Sequence, residues 1–423
     1  MIKTAKGTRD IEAPQSYRWH YIENMMRDVT AVFGFREIRT PIFEHTELFL
    51  RGVGDTTDIV TKEMYTFEDK GGRSMTLKPE GTAGVVRSFI EHGGYADAQP
   101  TKMYYCNCPV FRYENPQSGR LREHHQFGAE LFGAASAVAD AELVMLANTL
   151  FKRLQVTQLS LHINNIGCKK CRPNYQEALR KHFAENIHSM CPDCQSRFEK
   201  NPLRILDCKN EKCRPFIENA PVMLDYACPE CTDHFEVLKT YLDAQEVQYE
   251  VDPYIVRGLD YYTKTVFEFI SMHIGAQGTV CGGGRYDDLI EELGGPSMPG
   301  IGFGMGMERL LMVMDGQNIE IPEPRLYDIY LASMGEKAQV YAATLASKLR
   351  RLGISAQIDM MNRSVKAQMK YANKLNIPYV VVIGESELEQ NVVNCKNMED
   401  GTSVEMALDG FEAQFLSKIK EQK

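Results

Sequence analysis

The chain has 423 residues, 43% of them hydrophobic and 25% charged, with 32 glycines and 18 prolines scattered along it. That length calls for two or three domains with cores of their own, and the composition excludes a disordered or low-complexity protein. A net charge of −9 argues against a surface covered in nucleic acid but leaves room for a local basic groove. No stretch approaches the roughly 18 to 20 apolar residues of a membrane span, and Met1–Asp10 carries no apolar run after its charges, so a cytoplasmic protein is expected.

In chain order, Trp19, Ile22, Met25, Met26, Val29, Val32 and Phe33 recur at helical spacing, with Gly34 as the stop. Phe35–Ile38 reads as extended, with Pro41 at a strand end. Lys102–Tyr113 and Thr265–Ile270 are rich in β-branched and aromatic residues and predict strands. Leu143, Leu146, Ala147, Leu150, Phe151 and Leu154 form a helical stripe with Asp140 as its expected cap. Residues 166–250 differ in character, with cysteine pairs and short helical patterns, and predict an insertion. A polar, proline-bearing linker follows Met314. Beyond it, strands at 328–332, 355–358 and 379–383 alternate with helices around Tyr341–Leu352 and after Ser364, which predicts parallel strands with helices on their faces.

Three segments carry candidate chemistry. From Phe111 to Glu130 two strand-like ends flank the turn-forming Asn115–Gly119, which predicts an antiparallel pair bearing Arg112, Glu114, Arg120 and Arg122. Clustered guanidinium forks suit a polyphosphate, and a solvated charged hairpin is the alternative. Arg257-Gly-Leu-Asp-Tyr-Tyr is followed by Gly282-Gly-Gly-Arg-Tyr-Asp, where glycines permit close backbone approach. Gly300–Arg309 alternates glycine with apolar residues, which fits either a flat ligand on the strand or tight strand–helix packing. Neither a strand-GxGxxG-helix unit nor a GxxxxGK[ST] loop is present.

Eight of the 12 cysteines fall in four pairs: Cys168/Cys171, Cys191/Cys194, Cys208/Cys213 and Cys228/Cys231. Such spacing in a chain without a secretory signal suits zinc bound by four thiolates, and unligated thiols are the alternative. Four pairs combine into two sites in three ways, which spacing alone leaves open. Cys106, Cys108 and Cys281 read as small hydrophobes; His124 and His125, in the arginine-rich hairpin, fit either a packing or a chemical role, and neither is assigned as a base.

These segments, with Gly7-Thr-Arg-Asp, Phe35–Pro41 and Thr76-Leu-Lys-Pro-Glu-Gly-Thr, stand in the order of the signature motifs of class II aminoacyl-tRNA synthetases. The chain resembles the histidyl-tRNA synthetase family over nearly its whole length. The resemblance implies an α+β catalytic domain on a mixed, mainly antiparallel sheet over residues 1–325, with the cysteine-rich insertion at about 166–250 facing tRNA. It also implies a C-terminal α/β anticodon-binding domain over residues 326–423 and a homodimer.

The implied reaction joins L-histidine to its tRNA through ATP and Mg2+. Arg112 and Arg309 would hold ATP phosphates, with Glu114 and Arg120 beside them, and Arg257 would face the α-phosphate during attack by the histidine carboxylate. Glu80, Thr82 and Gln126 would bind the α-amino group, and Glu130 and Tyr262 the imidazole. The loop from Asn115 to Arg122 would meet the tRNA acceptor end, and zinc would stabilise a tRNA-facing module rather than take part in catalysis. The rival expectation is a catalytically silent paralogue that senses histidine, which typically lacks the anticodon-binding domain.

Overall fold

The computed structural model describes residues 1–54, 57–117, 119–272 and 278–420. The chain folds as two units, Met1–Ile321 and Pro322–Lys423, each with a core of its own. Among the described residues, no helix is long and apolar enough to cross a membrane.

The first unit is built on an eight-stranded sheet whose spatial order is 36–37, 101–111, 123–132, 300–306, 279–285, 263–271, 159–165 and 250–251. Its six central strands pair antiparallel, while Arg36–Glu37 and Glu250–Val251 add parallel edges. The sheet is therefore mixed and mainly antiparallel, the class that the resemblance implies.

Alternation along the strands separates a packing face from a polar face. Phe127, Ala129 and Leu131, with Ile301, Phe303 and Met305 and with Phe267 and Phe269, join one buried core. The helices Ser16–Val32, Ala137–Arg153 and Pro229–Ala244 contribute Ile22, Met26, Leu143, Leu146, Leu238 and Leu242 to it. The intervening positions, Gln126, Gly128, Glu130, Glu268, Gly282, Gly284, Gly302 and Gly304, belong to the opposite face. Register brings Glu130 opposite Gly302 and Gly284 opposite both Gly302 and Val266, while Gly282 pairs with Gly304 and Glu268. Adjacent cross-strand glycines leave a floor almost bare of side chains.

The predicted amphipathic helix is Ser16–Val32, and Gly34 closes it with φ +76°. Asp140 is not the cap of the next long helix. That helix begins at Ala137, where Ser136 accepts from the Val138 N–H at 3.3 Å, and Asp140 lies fully buried in the first turn. The insertion folds as short helices, Arg172–Ala184, Pro192–Lys200 and Arg214–Ile217, before the longer Pro229–Ala244.

In the second unit, strands Ala356–Ile358, Ile329–Ser333 and Tyr379–Ile383 lie side by side and parallel, with helices Glu336–Arg351 and Val365–Lys374 between them in sequence. The sheet continues through the antiparallel strands Val392–Asn397 and Ser403–Ala407, and the helix Phe411–Lys420 buries Phe411 and Phe415 in its core. The parallel half is the predicted strand–helix alternation; the antiparallel half extends it.

Candidate active site

A cavity of about 820 Å³ opens over the glycine floor. Its volume lies within the range of a small-molecule site. Arg112, Glu114 and Arg120 reach it from the long hairpin, Gln126 from the return strand, Arg257 and Glu268 from one side, and Arg309 from another. The hairpin is the antiparallel pair Thr101–Phe111 and Glu123–Phe132. At its base, Arg112 Nε donates to the Pro79 carbonyl at 2.8 Å, and Arg120 pairs with Glu114. Arg122 does not join this cluster: it lies on the Tyr113 ring, 4.0 Å from its centroid, and its Nε donates to the Glu114 carbonyl. Ser118, in the same loop, lies outside the described residues.

The strand Gly300–Gly306 runs directly into the helix Met307–Gly316, which places Glu308 and Arg309 in that helix's first turn. Arg309 Nε donates to the Gly119 carbonyl at 3.0 Å, and Nη1 to the Thr279 carbonyl at 2.7 Å. Glu308 accepts from the His125 backbone N–H and lies 2.9 Å from its Nδ1, so His125 ties this helix to the hairpin. His124, beside it, has its imidazole pushed down to about 3 by burial and by Arg112.

Positive charge is concentrated here. Burial lowers the pKa of Arg309, and the neighbouring Arg120, Arg112 and Arg257 lower it further. Burial also lowers that of Arg112, with Arg257 adding to the effect. Arg257 moves the other way: burial opposes its charge, but the Glu268 carboxylate that it meets and the neighbouring Tyr262 together raise its pKa. Like charges held this close, partly out of water, form a site for an anion with several negative oxygens.

Next to the cavity lies a second, almost fully buried polar cluster. Glu80 accepts from the Thr82 and Ala83 N–H groups at 2.8 and 2.7 Å, at the start of the helix Thr82–Glu91. Thr82 Oγ1 donates to Glu130 at 2.7 Å, and the Tyr286 hydroxyl donates to the other Glu130 oxygen. Burial pushes the Glu130 carboxyl up to about 8 and raises Glu80 as well. Tyr262 is buried beside Tyr261 and Tyr286. Of the residues singled out from the sequence, Arg112, Glu114, Arg120, Gln126, Arg257 and Arg309 thus line the cavity. Glu80, Thr82, Glu130 and Tyr262 form the adjoining cluster instead.

The glycine alternation has a local cause at two positions. A Cβ on Gly302 would fall on the Glu130 carboxylate, and one on Gly282 would fall on the Arg257 guanidinium. The space is taken by the site's own side chains.

Sequence reading missed Glu268 and Tyr286. Glu268 holds Arg257 and accepts from Thr279 Oγ1 at 2.8 Å; the signal was a single acid inside the apolar strand Thr263–Ser271. Arg285, in the same glycine motif as Tyr286, is directed away from the cavity. It is fully buried against Asp140, with Asp287, Ala134 and Ser136 as further partners.

The eight paired cysteines gather into two groups, Cys168/Cys171/Cys228/Cys231 and Cys191/Cys194/Cys208/Cys213, each with its sulfurs within 4.8 Å of one another. The outer pairs combine and enclose the inner ones, which decides among the three combinations. Sulfur separations of 3.7 Å (Cys168–Cys171), 3.8 Å (Cys168–Cys228 and Cys171–Cys231) and 3.7 Å (Cys191–Cys208) are far beyond a disulfide bond. A zinc–sulfur distance of about 2.3 Å in a tetrahedron gives sulfur–sulfur edges of about 3.8 Å, so the donor sets fit zinc. Cys108, Cys281 and Cys395 are buried, and Cys106 lies 3.8 Å from Met26 Sδ with its thiol pushed up to about 12, chiefly by burial.

A mainly antiparallel sheet, an arginine-bearing hairpin and a glycine strand leading into a helix that carries an arginine together define a class II aminoacyl-tRNA synthetase catalytic domain. The sequence profile described as "Histidyl-tRNA synthetase" matches residues 7–310, and that described as "Anticodon binding domain" matches residues 328–418. The chain is 58% identical over 412 residues to a histidine–tRNA ligase of Caldanaerobacter subterraneus subsp. tengcongensis, covering 97% of this chain and 99% of the relative. It is 55% identical over 411 residues to one of Clostridium novyi, covering 97% and 98%. The crystal structure of apo S. aureus histidyl-tRNA synthetase superposes with a TM-score of 0.84 at 41% identity, covering 98% of this chain and all of that one. The chain belongs to the histidyl-tRNA synthetase family.

Proposed function

We propose that the protein is a cytoplasmic histidine–tRNA ligase acting as a homodimer. L-Histidine and ATP give histidyl-adenylate and pyrophosphate; the histidyl group then passes to the 3′ end of its tRNA with release of AMP. The observation that carries this reading is the convergence of Arg112, Arg257 and Arg309 on one cavity over a glycine floor, in a chain of this family.

In the first step a histidine carboxylate oxygen attacks the α-phosphorus and the bond to pyrophosphate breaks. Negative charge grows on the α-phosphoryl oxygens, and Arg257, already oriented by Glu268, opposes it. Arg112 and Arg309 hold the α- and γ-phosphates, with Glu114 and Arg120 beside them. Glu80, Thr82 and Gln126 take the α-amino group. Glu130 and Tyr262 take the imidazole, whose two nitrogens let a site with matched partners reject analogues lacking either. Mg2+ offsets phosphate charge when bound, and the carboxylates of Glu63 and Glu114 on the cavity wall are the hard oxygen donors it prefers.

Residues 326–423 serve as the anticodon-binding domain, and the Asn115–Arg122 loop meets the acceptor end. Cys168, Cys171, Cys228 and Cys231 would hold a zinc that ties the two ends of the insertion together, and Cys191, Cys194, Cys208 and Cys213 one that closes a segment within it, each supplying folding free energy there.

Histidine-dependent exchange of labelled pyrophosphate into ATP, without tRNA, tests the reading. Exchange with histidine alone among the amino acids, reduced about a hundredfold or more by Arg257→Ala, is the expected result. A folded protein that binds histidine yet exchanges nothing would instead be a histidine sensor.

A further inference from the structure

The cysteine-rich insertion reaches the catalytic cavity. Cys191, Cys208, Arg197, Arg204 and Lys209 line the same space as Arg257 and Glu268. Arg204 is buried, and its Nη1 donates to the Arg257 carbonyl at 2.8 Å. The approach is close at the next residue as well, since a Cβ on Gly258 would stand 3.3 Å from that nitrogen. Asn201 Nδ2 donates to the Asp260 carboxylate at 2.9 Å. Arg197 fixes Arg204 in turn, donating to its carbonyl at 3.2 Å and to the Asp58 carboxylate at 2.7 Å.

All three side chains lie between Cys194 and Cys208, in the segment that the inner cysteine group closes. The other end of the motif is held in the same way. Arg172 follows Cys171 of the outer group directly, and its Nη2 donates to the carbonyls of Gly167 and Tyr262. Each end of Arg257–Tyr262 is therefore anchored by a residue that a cysteine group holds in place.

We propose that the insertion is a brace for amino-acid activation: Arg204 and Asn201 are positioning residues that fix the Arg257 segment, and metal in Cys191/Cys194/Cys208/Cys213 fixes them. The proposal rests on the reading of Arg257 as the residue facing the α-phosphate. A guanidinium that must meet a developing charge works only from one position, and an error of about 1 Å costs on the order of a hundredfold in rate. A metal bound by residues on both sides of a 13-residue segment (195–207) removes much of its freedom, as structural zinc does elsewhere. Metal occupancy then affects the first half-reaction, which involves no tRNA.

The test uses the full-length chain with zinc measured by atomic emission, a thermal melt, and pyrophosphate exchange without tRNA. Arg204→Gln is expected to keep two zinc per chain and the wild-type melt while kcat falls about tenfold to a hundredfold and the ATP KM stays within about twofold. Arg204→Lys, which retains a donor, should recover part of that rate. Added to Arg257→Ala, Arg204→Gln should cost little more, because it acts through the residue already removed. Cys208→Ser with Cys213→Ser should lose one zinc and show the same fall in kcat.

Wild-type turnover in Arg204→Gln overturns the brace, as does an undiminished further loss in the Arg257→Ala background. A fall seen only together with loss of zinc or of the melt also overturns it. Full exchange by Arg257→Ala alone would sink the underlying reading instead, and that variant is assayed separately.

Discussion

Arg257 and Glu268 form a half-buried ion pair on the cavity wall, with Glu268 also accepting from Thr279 Oγ1 at 2.8 Å. The carboxylate sits on the sheet strand Thr263–Ser271 and the guanidinium on a loop, so the strand residue orients the loop residue. Glu268→Gln keeps the shape and removes the charge that balances Arg257. Histidine-dependent pyrophosphate exchange at saturating substrates should fall about tenfold to a hundredfold. A variant with wild-type kcat would show that Arg257 needs no such partner.

Glu130 gives the ligand-free protein a pH dependence of definite sign. Its carboxyl is pushed up to about 8 by burial, from an ordinary 4.5. Between those values the folded chain holds a proton that the unfolded chain has lost, so stability falls as pH rises from about 4.5 toward 8, by up to about 1.4 kcal/mol per unit. Above the folded pKa the loss is complete. Glu130→Gln mimics the protonated acid and should remove this slope. Denaturant unfolding of both proteins at pH 5, 6, 7 and 8 measures the difference, and parallel curves would contradict it.

Gly302 has no side chain because Glu130 occupies the space where one would lie. Ala at this fully enclosed position must displace the carboxylate or the strand, at a cost of about 1 to 3 kcal/mol. Because Glu130 is the proposed imidazole partner, the histidine KM should rise more than the ATP KM. Equal changes in the two would place the damage in the sheet as a whole.

Much of this was legible in the residues, for identifiable reasons. The strands Thr101–Phe111 and Thr263–Ser271 announce themselves by β-branched and aromatic content, and the helix Ser16–Val32 by its spacing. The arginines of the hairpin and of the glycine strand were legible because turn residues and alternation fix where they must lie. Partnerships set only by tertiary packing were not. Spacing could not combine the cysteine pairs, since the nested arrangement depends on strand Leu159–Asn165 and helix Pro229–Ala244 bringing residues 168 and 228 together. Asp140 looked like a cap because acids favour helix starts, yet its partner Arg285 is 145 residues away in sequence. Ser403–Ala407 escaped because only Met406 among its residues is buried, which leaves little apolar pattern to read.

That Asp140–Arg285 pair is the place where one polar deletion should cost the fold most. Both side chains are fully buried, and His234 Nε2 lies 3.1 Å from the same aspartate. Burial opposes the charge on Asp140, and Arg285 prevails over it, holding its carboxyl below the usual range. The pair joins the glycine-motif strand to the helix Ala137–Arg153 and, through His234, to the helix that follows Cys228. Asp140→Ala leaves the buried guanidinium with only the partly exposed Asp287 carboxylate, 3.1 Å from Nη1, to balance it and should destabilise the first unit by about 3 kcal/mol. Replacing both partners with apolar residues, Asp140→Leu with Arg285→Met, removes the stranded charge and should cost less than Asp140→Ala alone. Chemical denaturation of the single and double variants decides this: a double variant less stable than the single one would mean that the pair's hydrogen bonds to Ala134 and Ser136, rather than its charge balance, hold this junction.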